Sequence, residues 1–505
     1  MKRNVSLILS CLLIFQLMMM SGCKKNEASV STPNEPTKLT ILSPSGGRVN
    51  KADNVVVQEI EKKTNTKLEI NLIPDAEFVN KFNVMVASNS VADVVKTPGY
   101  EFFNYIPQAV FMDITKLVEE HGKNLKEKVP QQAWEKVKYN GKLYVVPSYN
   151  WPGKMVNVAR KDWLDKLGMK APTNLDELRE MYKQFTYNDP DGDGIKNTYG
   201  LTTANEINSN SLPDTFVPIF GAFGVMPGMF FEKDGKAYPA SITPEYKAAL
   251  EYIGQLYNED KVIDPDMFIL KTDQATQNLV QGRSGSFAGW WSIPQQSLMV
   301  QKKMKSVNPN AEWEIIEPVK GKDGKNGFRA SNMVNYSAAI SANCKNPAAA
   351  MKLMDFLVSD EGAILSSLGL KDVHYVEENG QFVKRTEEGQ KAMDDKWVDV
   401  LSQIVFRADI NRNVYKRTNP EAYKYIEASG NANLYYDLFE GYSTPATQKN
   451  MASIKKVELE WLVKFVVGKE PISKYDEYVQ SWLSKGGKEV LQSLTEEYNK
   501  RTGSK

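Results

Sequence analysis

The chain has 505 residues, 42% of them hydrophobic and 25% charged, and its 63 Lys and Arg residues offset 62 Asp and Glu residues to leave a formal net charge of +1. This length exceeds what a single hydrophobic core supports, so we expect two large lobes or several domains, and the composition excludes extensive disorder. A net charge near zero gives no general attraction to nucleic acid, which we therefore do not expect as a partner.

The amino terminus has the order of features found in an export signal. Residues 1–4 include two basic side chains, and Val5 to Met20 form an apolar run rich in Leu, Ile and Met. A basic start followed by such a run predicts a signal peptide over residues 1–22. The alternative is a membrane anchor, for which a run of this length is marginal.

Cys23 follows two small residues, Ser21 and Gly22, and a polar stretch begins directly after it. This arrangement resembles the lipobox of bacterial lipoproteins, except that Met20 stands where that pattern usually has Leu. The resemblance implies that the thiol of Cys23 carries lipid and fastens the protein to the outer face of the bacterial cell membrane. Residues 23–37 are poor in large apolar side chains, which predicts a lipidated cysteine followed by a flexible tether.

The other two cysteines of the chain are Cys11 and Cys344. Cys11 would leave with the signal peptide and Cys23 would carry lipid, so no internal disulfide is expected. A lone cysteine can be a catalytic nucleophile, but nothing near Cys344 in the sequence indicates activation. We expect Cys344 to pack as a small apolar residue.

Strands and helices alternate in the segment after the tether. The predicted elements are strands at 39–42, 67–72, 93–95 and 142–147, and helices at 55–63, 78–86, 113–121 and 131–137. Regular alternation of strand and helix is typical of a parallel α/β sheet with right-handed crossovers.

Two stretches predict crossings between lobes. The first is the aromatic stretch 148–153, which is interrupted by Pro and Gly, and the second is the polar, Gly-rich stretch 321–327. From residue 372 to the end, helical periods dominate. We therefore assign residues 38–148 and 320–371 to lobe 1, and residues 149–319 and 372–505 to lobe 2.

An acidic loop over residues 189–197 predicts a cation site. Oxygen ligands fall at positions one, three, five, seven and nine of the loop, with Gly194 at position six, where a calcium loop turns sharply. The candidate ligands for Ca²⁺ are the carboxylates of Asp189, Asp191 and Asp193, the carbonyl of Ile195 and the side chain of Asn197. Position twelve is Gly200 and not the usual Glu, so the loop is an incomplete EF-hand, and a solvated acidic turn is the alternative. A bound ion would have a structural role.

Aromatic residues form a second constellation. Tyr149 and Trp151 lie at the first predicted crossing, and Trp290 and Trp291 follow a small-residue stretch. Sugar rings pack their apolar C–H faces on aromatic planes, and their hydroxyls need a few placed polar partners. Neighbouring side chains on a strand point to opposite faces, so we expect at most one of Trp290 and Trp291 to face a cleft. The alternative is that these tryptophans belong to the core.

Enzyme signatures are sparse in this sequence. The only histidines, His121 and His374, are isolated from Ser or Cys partners, which argues against a His-based triad. Paired carboxylates for glycoside hydrolysis stay open among the 62 acidic residues, because their separation is a three-dimensional quantity. The sequence has no phosphate-cradling loop, so an ATPase would be a separate protein.

Several segments together resemble one family. They are residues 161–168 and 172–178, the end of the acidic loop at 198–201, residues 355–362, Gly369, and residues 373–375. In these segments the chain resembles the bacterial extracellular solute-binding proteins of family 1, specifically their lipoprotein branch in Gram-positive bacteria.

The resemblance implies a two-lobed α/β fold of the periplasmic-binding-protein type II class, each lobe being a mainly parallel sheet flanked by helices, with the ligand in the cleft between lobes. It also implies a monomeric substrate-binding lipoprotein that captures an oligosaccharide and delivers it to the permease subunits of an ABC importer. The ligand-binding candidates are Tyr100, Tyr149, Trp151, Trp290, Trp291, Arg407 and Arg412, the two arginines being candidates for a uronate carboxylate.

Two other functions stay open at this point. A secreted polysaccharide-degrading enzyme would release new reducing ends or unsaturated products. A peptide-binding or adhesive surface lipoprotein would show no thermal shift with sugars.

Overall fold

The computed structural model describes residues 35–98, 100–207, 213–296, 300–402, 404–418 and 420–502. The predicted signal peptide over 1–22, the predicted lipidation site Cys23 and most of the predicted tether lie outside these ranges. Over the described ranges, no helix combines the length and the apolar character that crossing a membrane requires.

The first part of the chain alternates strands and helices, as its sequence predicts. Its elements are β1 (Thr37–Pro44), α1 (Val55–Thr64), β2 (Thr66–Ile73), α2 (Asp75–Ala87), β3 (Val94–Pro98), α3 (Thr115–His121), α4 (Lys123–Lys128), α5 (Gln131–Val137), β4 (Lys138–Tyr139), β5 (Lys142–Leu143) and β6 (Val145–Tyr149). Asn54 begins α1, because its side-chain oxygen accepts hydrogen bonds from the backbone N–H groups of Val56 and Val57.

The middle of the chain contributes more helices. Its elements are β7 (Met155–Arg160), α6 (Lys161–Lys166), α7 (Leu175–Tyr187), α8 (Val217–Ala222), β8 (Phe230–Lys233), β9 (Lys236–Pro239), α9 (Pro244–Asn258), α10 (Thr272–Val280), β10 (Ser286–Trp290), α11 (Ile293–Gln296), α12 (Val300–Val307), β11 (Trp313–Ile316) and β12 (Phe328–Arg329).

The last part returns to the first sheet and then ends in helices. Its elements are β13 (Val334–Ile340), α13 (Pro347–Val358), α14 (Asp360–Leu368), β14 (Tyr375–Glu378), β15 (Gln381–Arg385), α15 (Glu387–Asp394), α16 (Ala408–Thr418), α17 (Pro420–Asn431), β16 (Leu434–Tyr435), α18 (Pro445–Val466), α19 (Tyr475–Trp482) and α20 (Lys488–Thr502).

The first sheet has five strands in the order β2-β1-β3-β13-β6. β1 runs parallel to β2 and β3, whereas β13 runs antiparallel to β3 and β6. The carboxyl ends of β1, β3 and β6 therefore lie at one edge of the sheet, together with the start of β13. In open α/β sheets this is the edge at which ligands bind.

The second sheet corrects one expectation. It has three strands in the order β10-β7-β11, and β7 is antiparallel to both neighbours, whereas the sequence analysis expected a mainly parallel sheet in each lobe. All six residues of β7 are buried. A strand covered on both faces has a continuous apolar sequence whatever the direction of its neighbours, so the pattern did not encode that direction.

Two large cores divide most of the described chain. The first contains residues from β1, β2, β3, β6, β13 and α13, and the second contains residues from α7, α8, α9, α18 and α19. Ala392, Val398 and Val405 pack in the first core, although the segment from 372 onward was expected in lobe 2. Phe328 was expected in lobe 1. It packs in the second core, because β12 pairs with β16. The other predicted lobe limits stay predictions.

Candidate functional site

Three stretches of chain pass between the two large cores. Each stretch begins at a residue of one core and ends at a residue of the other core. The stretches lie between Val146 and Met155, between Phe328 and Met333, and between Val405 and Phe439. The first and second stretches leave or enter the ligand-binding edge of the first sheet. Side chains on these stretches are therefore placed to meet a ligand held between the cores.

A recess of about 210 Å³ lies along the first and third stretches. Its lining residues are Trp151, Lys154, Trp291, Phe406, Ala408, Arg412, Tyr415 and Ile426, and we call it the tryptophan recess. It brings together three of the predicted ligand-binding residues, Trp151, Trp291 and Arg412, which are up to 261 positions apart in the sequence. The recess is thus formed by tertiary packing of distant segments.

Two residues that line the recess each have a donor with no acceptor within the part of the chain that the structure describes. The donors are the indole Nε1 of Trp151 and the guanidinium Nε of Arg412, both of which are buried. The Cζ atom of Arg412 lies 3.2 Å from the ring centroid of Trp151. A buried donor without an acceptor costs about 1–3 kcal/mol, so both groups would gain from an oxygen acceptor that reached them.

Trp290 and Trp291 differ in their surroundings. The backbone N–H of Trp291 donates to the backbone carbonyl of Lys154 at 2.7 Å, and the Trp291 ring makes an edge-on contact with Tyr415, with a centroid distance of 5.3 Å. Trp290 ends β10 opposite Met155 and is 47% exposed, and it does not line the tryptophan recess. A ligand role for Trp290 stays a prediction.

Tyr149 lies at the end of β6, next to the recess. It is half-buried, and its backbone forms a bridge with Arg407. Burial raises the pKa of the Tyr149 phenol, the nearby Tyr436 adds to this effect, and Arg412 opposes it. Its hydroxyl therefore lies within electrostatic range of Arg412, and its predicted ligand role stays a prediction.

Arg407 and Tyr100 are engaged in contacts within the fold. The guanidinium of Arg407 forms ion pairs with Asp360 and Asp409, and it also donates to the carbonyl of Val358 at 3.0 Å. The hydroxyl of the buried Tyr100 donates to Glu440 Oε1 at 2.6 Å. A ligand would have to compete with these partners, and neither residue lines the tryptophan recess. Ligand binding by Arg407 and Tyr100 stays a prediction.

Five lining residues were not predicted from the sequence, namely Lys154, Phe406, Ala408, Tyr415 and Ile426. Lys154 follows Trp151 by three residues, and burial lowers the pKa of its ammonium. Tyr415 lies three positions after Arg412 on α16, a spacing that places both side chains on one helix face. Phe406 lies at the start of the third stretch. Of these residues, only Tyr415 could have been predicted, from its helical spacing to Arg412.

The acidic loop brings its three aspartates together. Carboxylate oxygens of Asp189, Asp191 and Asp193 lie within 4.8 Å of one another. The backbone N–H groups of Gly192 and Gly194 donate to the carboxylate of Asp189, at 3.1 and 3.3 Å. This arrangement directs oxygen atoms toward one point, as a hard cation requires.

The other two predicted ligands are less well placed. The carbonyl of Ile195 accepts a hydrogen bond from the N–H of Asn197 at 3.0 Å, and the Asn197 side chain donates from Nδ2 to Asp193 Oδ2 at 3.1 Å. The amide of Asn197 would have to turn to present its oxygen.

Two observations favour a cation in the loop. One oxygen of Asp191 is buried without a hydrogen-bond partner in the described chain. Burial, with the neighbouring Asp189 and Asp193, raises the pKa of Asp191. Lys166 donates to the backbone carbonyl of Asp189 at 2.9 Å and so supplies only part of the positive charge that three carboxylates need. The residues present fit a divalent cation.

Cys344 is buried, and burial raises the pKa of its thiol to about 12. A thiol with such a pKa is almost entirely protonated at neutral pH, whereas a nucleophilic cysteine must form the thiolate. The structure therefore supports the packing role that the sequence predicts.

Comparison with known proteins agrees with this geometry. The family model of the bacterial extracellular solute-binding proteins matches residues 45–364. The chain is 26% identical to the polygalacturonan/rhamnogalacturonan-binding protein YtcQ of Bacillus subtilis over 95% of each chain.

Two solved structures share the fold. One is a solute-binding protein from Bifidobacterium longum infantis described as binding HMO, with a TM-score of 0.71, 18% identity, and coverage of 92% of this chain and 98% of that one. The other is an EF-hand mutant of the Streptococcus pneumoniae substrate-binding protein FusA in complex with fructo-nystose, with a TM-score of 0.63, 17% identity, and coverage of 93% and 100%. The predicted two-lobed α/β class is confirmed.

Proposed function

Because the chain belongs to the family of bacterial extracellular solute-binding proteins, we propose that it is the substrate-binding lipoprotein of an ABC importer for oligosaccharides. It captures an oligosaccharide outside the membrane and delivers it to the permease subunits as a monomer. The single observation that carries the choice of a sugar is the tryptophan recess.

The recess offers partners for both the apolar and the polar surfaces of a sugar. Trp291 and Tyr415 provide aromatic surface for the apolar C–H face of a pyranose ring. The indole of Trp151 and the guanidinium of Arg412 provide buried donors that have no acceptor in the described protein. Sugar hydroxyls and ring oxygens are acceptors that would satisfy them.

The position of the recess suits capture by closure. It lies on two of the three stretches that join the cores, so a rotation about these stretches would open and close it. Relatives support an oligosaccharide as cargo, since YtcQ is named for binding polygalacturonan and rhamnogalacturonan, and FusA is described in complex with fructo-nystose.

Anchoring is part of the proposal. Lipid on Cys23 would hold the protein at the outer face of the membrane, and residues up to 37 would act as its tether. The family is extracellular, which agrees with this placement.

We further propose that the acidic loop holds a structural calcium ion. The carboxylates of Asp189, Asp191 and Asp193 would hold it, with the carbonyl of Ile195 and the side chain of Asn197 as further ligands. The ion would neutralise three converging carboxylates and so stabilise the loop between α7 and the following segment. The EF-hand in the description of FusA supports calcium as the ion.

Binding without chemical change separates this function from its alternatives. The test is thermal unfolding of the purified protein with neutral and acidic oligosaccharides, each with calcium and with a chelator, followed by product analysis. A ligand at 100 times its Kd raises the free energy of unfolding by about 2.7 kcal/mol, so binding is visible as a higher Tm. A shift without products supports the receptor. New reducing ends would support the degradative enzyme, and a shift with peptides alone would support the peptide-binding lipoprotein.

A further inference from the structure

Lys96 is a buried cation without a counter-ion in the described chain. It lies on β3 and is 3% exposed, and its ammonium nitrogen lies 3.7 Å from the ring centroid of Tyr336. Across the residues described, its ammonium group has no hydrogen bond and no ion pair. Lysine is almost never buried to this extent without a partner, because burial of an isolated charge is costly.

The sheet register places this cation at the ligand-binding edge. Lys96 pairs with Ala338 of β13, and Tyr336 lies two residues away on the same strand. Side chains two positions apart share a face of the sheet, so the Lys96 ammonium and the Tyr336 ring meet on one face. Lys96 is two residues before the carboxyl end of β3, where parallel α/β sheets bind their ligands.

The acidic groups nearby are already engaged. Asp399 forms an ion pair with Arg48 at 2.7 Å, and Asp75 accepts a hydrogen bond from the N–H of Gly46 at 3.2 Å. Asp399 also interacts with Arg385, whose Nη1 is buried without a partner in the described chain. Asp399 therefore interacts with Arg48, Lys96 and Arg385, and Lys96 has no carboxylate within ion-pair distance in the described chain.

We propose that Lys96 binds a carboxylate group of the transported oligosaccharide, which makes uronic-acid-containing chains the substrate class of this protein. The proposal rests on the proposed function and assigns a specificity-determining residue to it. A carboxylate would pair with the ammonium and accept its hydrogen bonds, whereas a neutral sugar would leave the cation unpaired. Neutral analogues would therefore be rejected.

Strand pairing and one hydrogen bond link the Lys96 site to the tryptophan recess. Tyr336 pairs with Ser148 on β6, and the Ser148 hydroxyl accepts a hydrogen bond at 3.1 Å from the N–H of Phe406, which lines the recess. Two strand spacings separate β3 from β6, which is about 10 Å. The two strands are therefore closer together than the length of a trisaccharide, which is the separation that the proposal requires.

The test compares one trisaccharide with and without its charges. The full protein is titrated calorimetrically with trigalacturonate, with its fully methyl-esterified form, and with the neutral sugars kestose and maltotriose. The variants are Lys96→Met, which keeps the length of the apolar chain, and Lys38→Met, the same change at the exposed amino end of neighbouring β1. We expect Lys96→Met to weaken trigalacturonate binding by about 10- to 100-fold, and Lys38→Met to leave it unchanged.

Thermal unfolding without ligand separates recognition from a structural role. Removing an unpaired buried charge should leave the Tm of Lys96→Met equal to or above that of the unsubstituted protein, whereas a supporting role would lower it. Equal affinity of Lys96→Met for trigalacturonate, or equal affinity of the unsubstituted protein for the methyl ester, overturns the proposal. Binding of neutral sugars but not of trigalacturonate overturns it while the proposed function stands. No binding of any sugar overturns both.

Discussion

The guanidinium of Arg412 lies over the indole of Trp151, with 3.2 Å between the Cζ atom and the ring centroid. Arg412 comes from α16 and Trp151 from the first stretch between the cores, so the pair joins two segments that a hinge motion would move. A cation over an aromatic face contributes about 0.5–2 kcal/mol, depending on how far it is removed from water. The buried Nε of Arg412 has no acceptor among the described residues.

Replacing this arginine should weaken ligand binding more than stability. We expect Arg412→Met to reduce affinity for the bound sugar by about 10- to 100-fold, because a buried charged donor is lost. Calorimetric titration measures the effect, and Arg417→Met is the matched control, since Arg417 is exposed on the last turn of the same helix. Equal losses in the two variants would mean that Arg412 contributes general positive charge and not a specific contact.

The two neighbouring tryptophans provide a second test. Trp291→Ala should weaken sugar binding by about 10-fold or more, because Trp291 lines the tryptophan recess, whereas Trp290→Ala should change it less than about 3-fold. Quenching of tryptophan fluorescence on titration gives both affinities. A larger loss in Trp290→Ala would place the sugar on the opposite face of β10.

Affinity for acidic sugars should depend on pH through Lys96. Burial lowers the pKa of Lys96 to about 7; Arg48 lowers it further, and Asp75 and Asp399 oppose this. A bound carboxylate favours the ammonium form, so affinity for trigalacturonate should fall as the pH rises from 6 to 9. Calorimetric titration with trigalacturonate in buffers of different ionisation enthalpy should reveal proton uptake on binding near pH 8. The Lys96→Met variant should show no such uptake. A flat profile in the unsubstituted protein would contradict the prediction.

The same lowered pKa has a consequence for stability without ligand. Unfolded Lys has a pKa near 10.4, so between about pH 7 and 10 the unfolded chain binds more protons at this site than the native chain. The Lys96 contribution to the free energy of unfolding should therefore rise with pH over this window. Denaturant unfolding at pH 7 and pH 9.5 should give a larger increase for the unsubstituted protein than for Lys96→Met. Equal increases would show that Lys96 stays charged in the native state.

Local periodicity predicted much of the first sheet. The strand expected at 67–72 is β2, Thr66–Ile73, and the helix expected at 55–63 is α1, Val55–Thr64. Asn-Gly is a strong turn signal in a sequence, and Asn140-Gly141 joins β4 and β5 with positive φ at both residues, 49° and 75°. These features depend on residues within one turn or one strand, which is the information that a sequence pattern holds.

Contacts between distant segments could not be predicted in the same way. Lys96 and Tyr336 are 240 positions apart, and their meeting depends on the register of β3 with β13. A lysine on a strand reads as a solvent-facing residue, so its burial was not expected. The packing of Ala392 and Val398 in the first core likewise depends on the return of the chain after α14, which helical periodicity does not encode.

The acidic loop permits a test in which metal binding and stability change in opposite directions. Asp191→Asn should remove most of the Tm increase that calcium gives the unsubstituted protein, because one of three carboxylates within 4.8 Å is lost. In chelator the same variant should be at least as stable as the unsubstituted protein, since it removes repulsion between like charges. Asp234→Asn, in the turn between β8 and β9, is the matched control and should keep the calcium response. A loop that acts as a solvated turn would give no calcium response in any of these proteins.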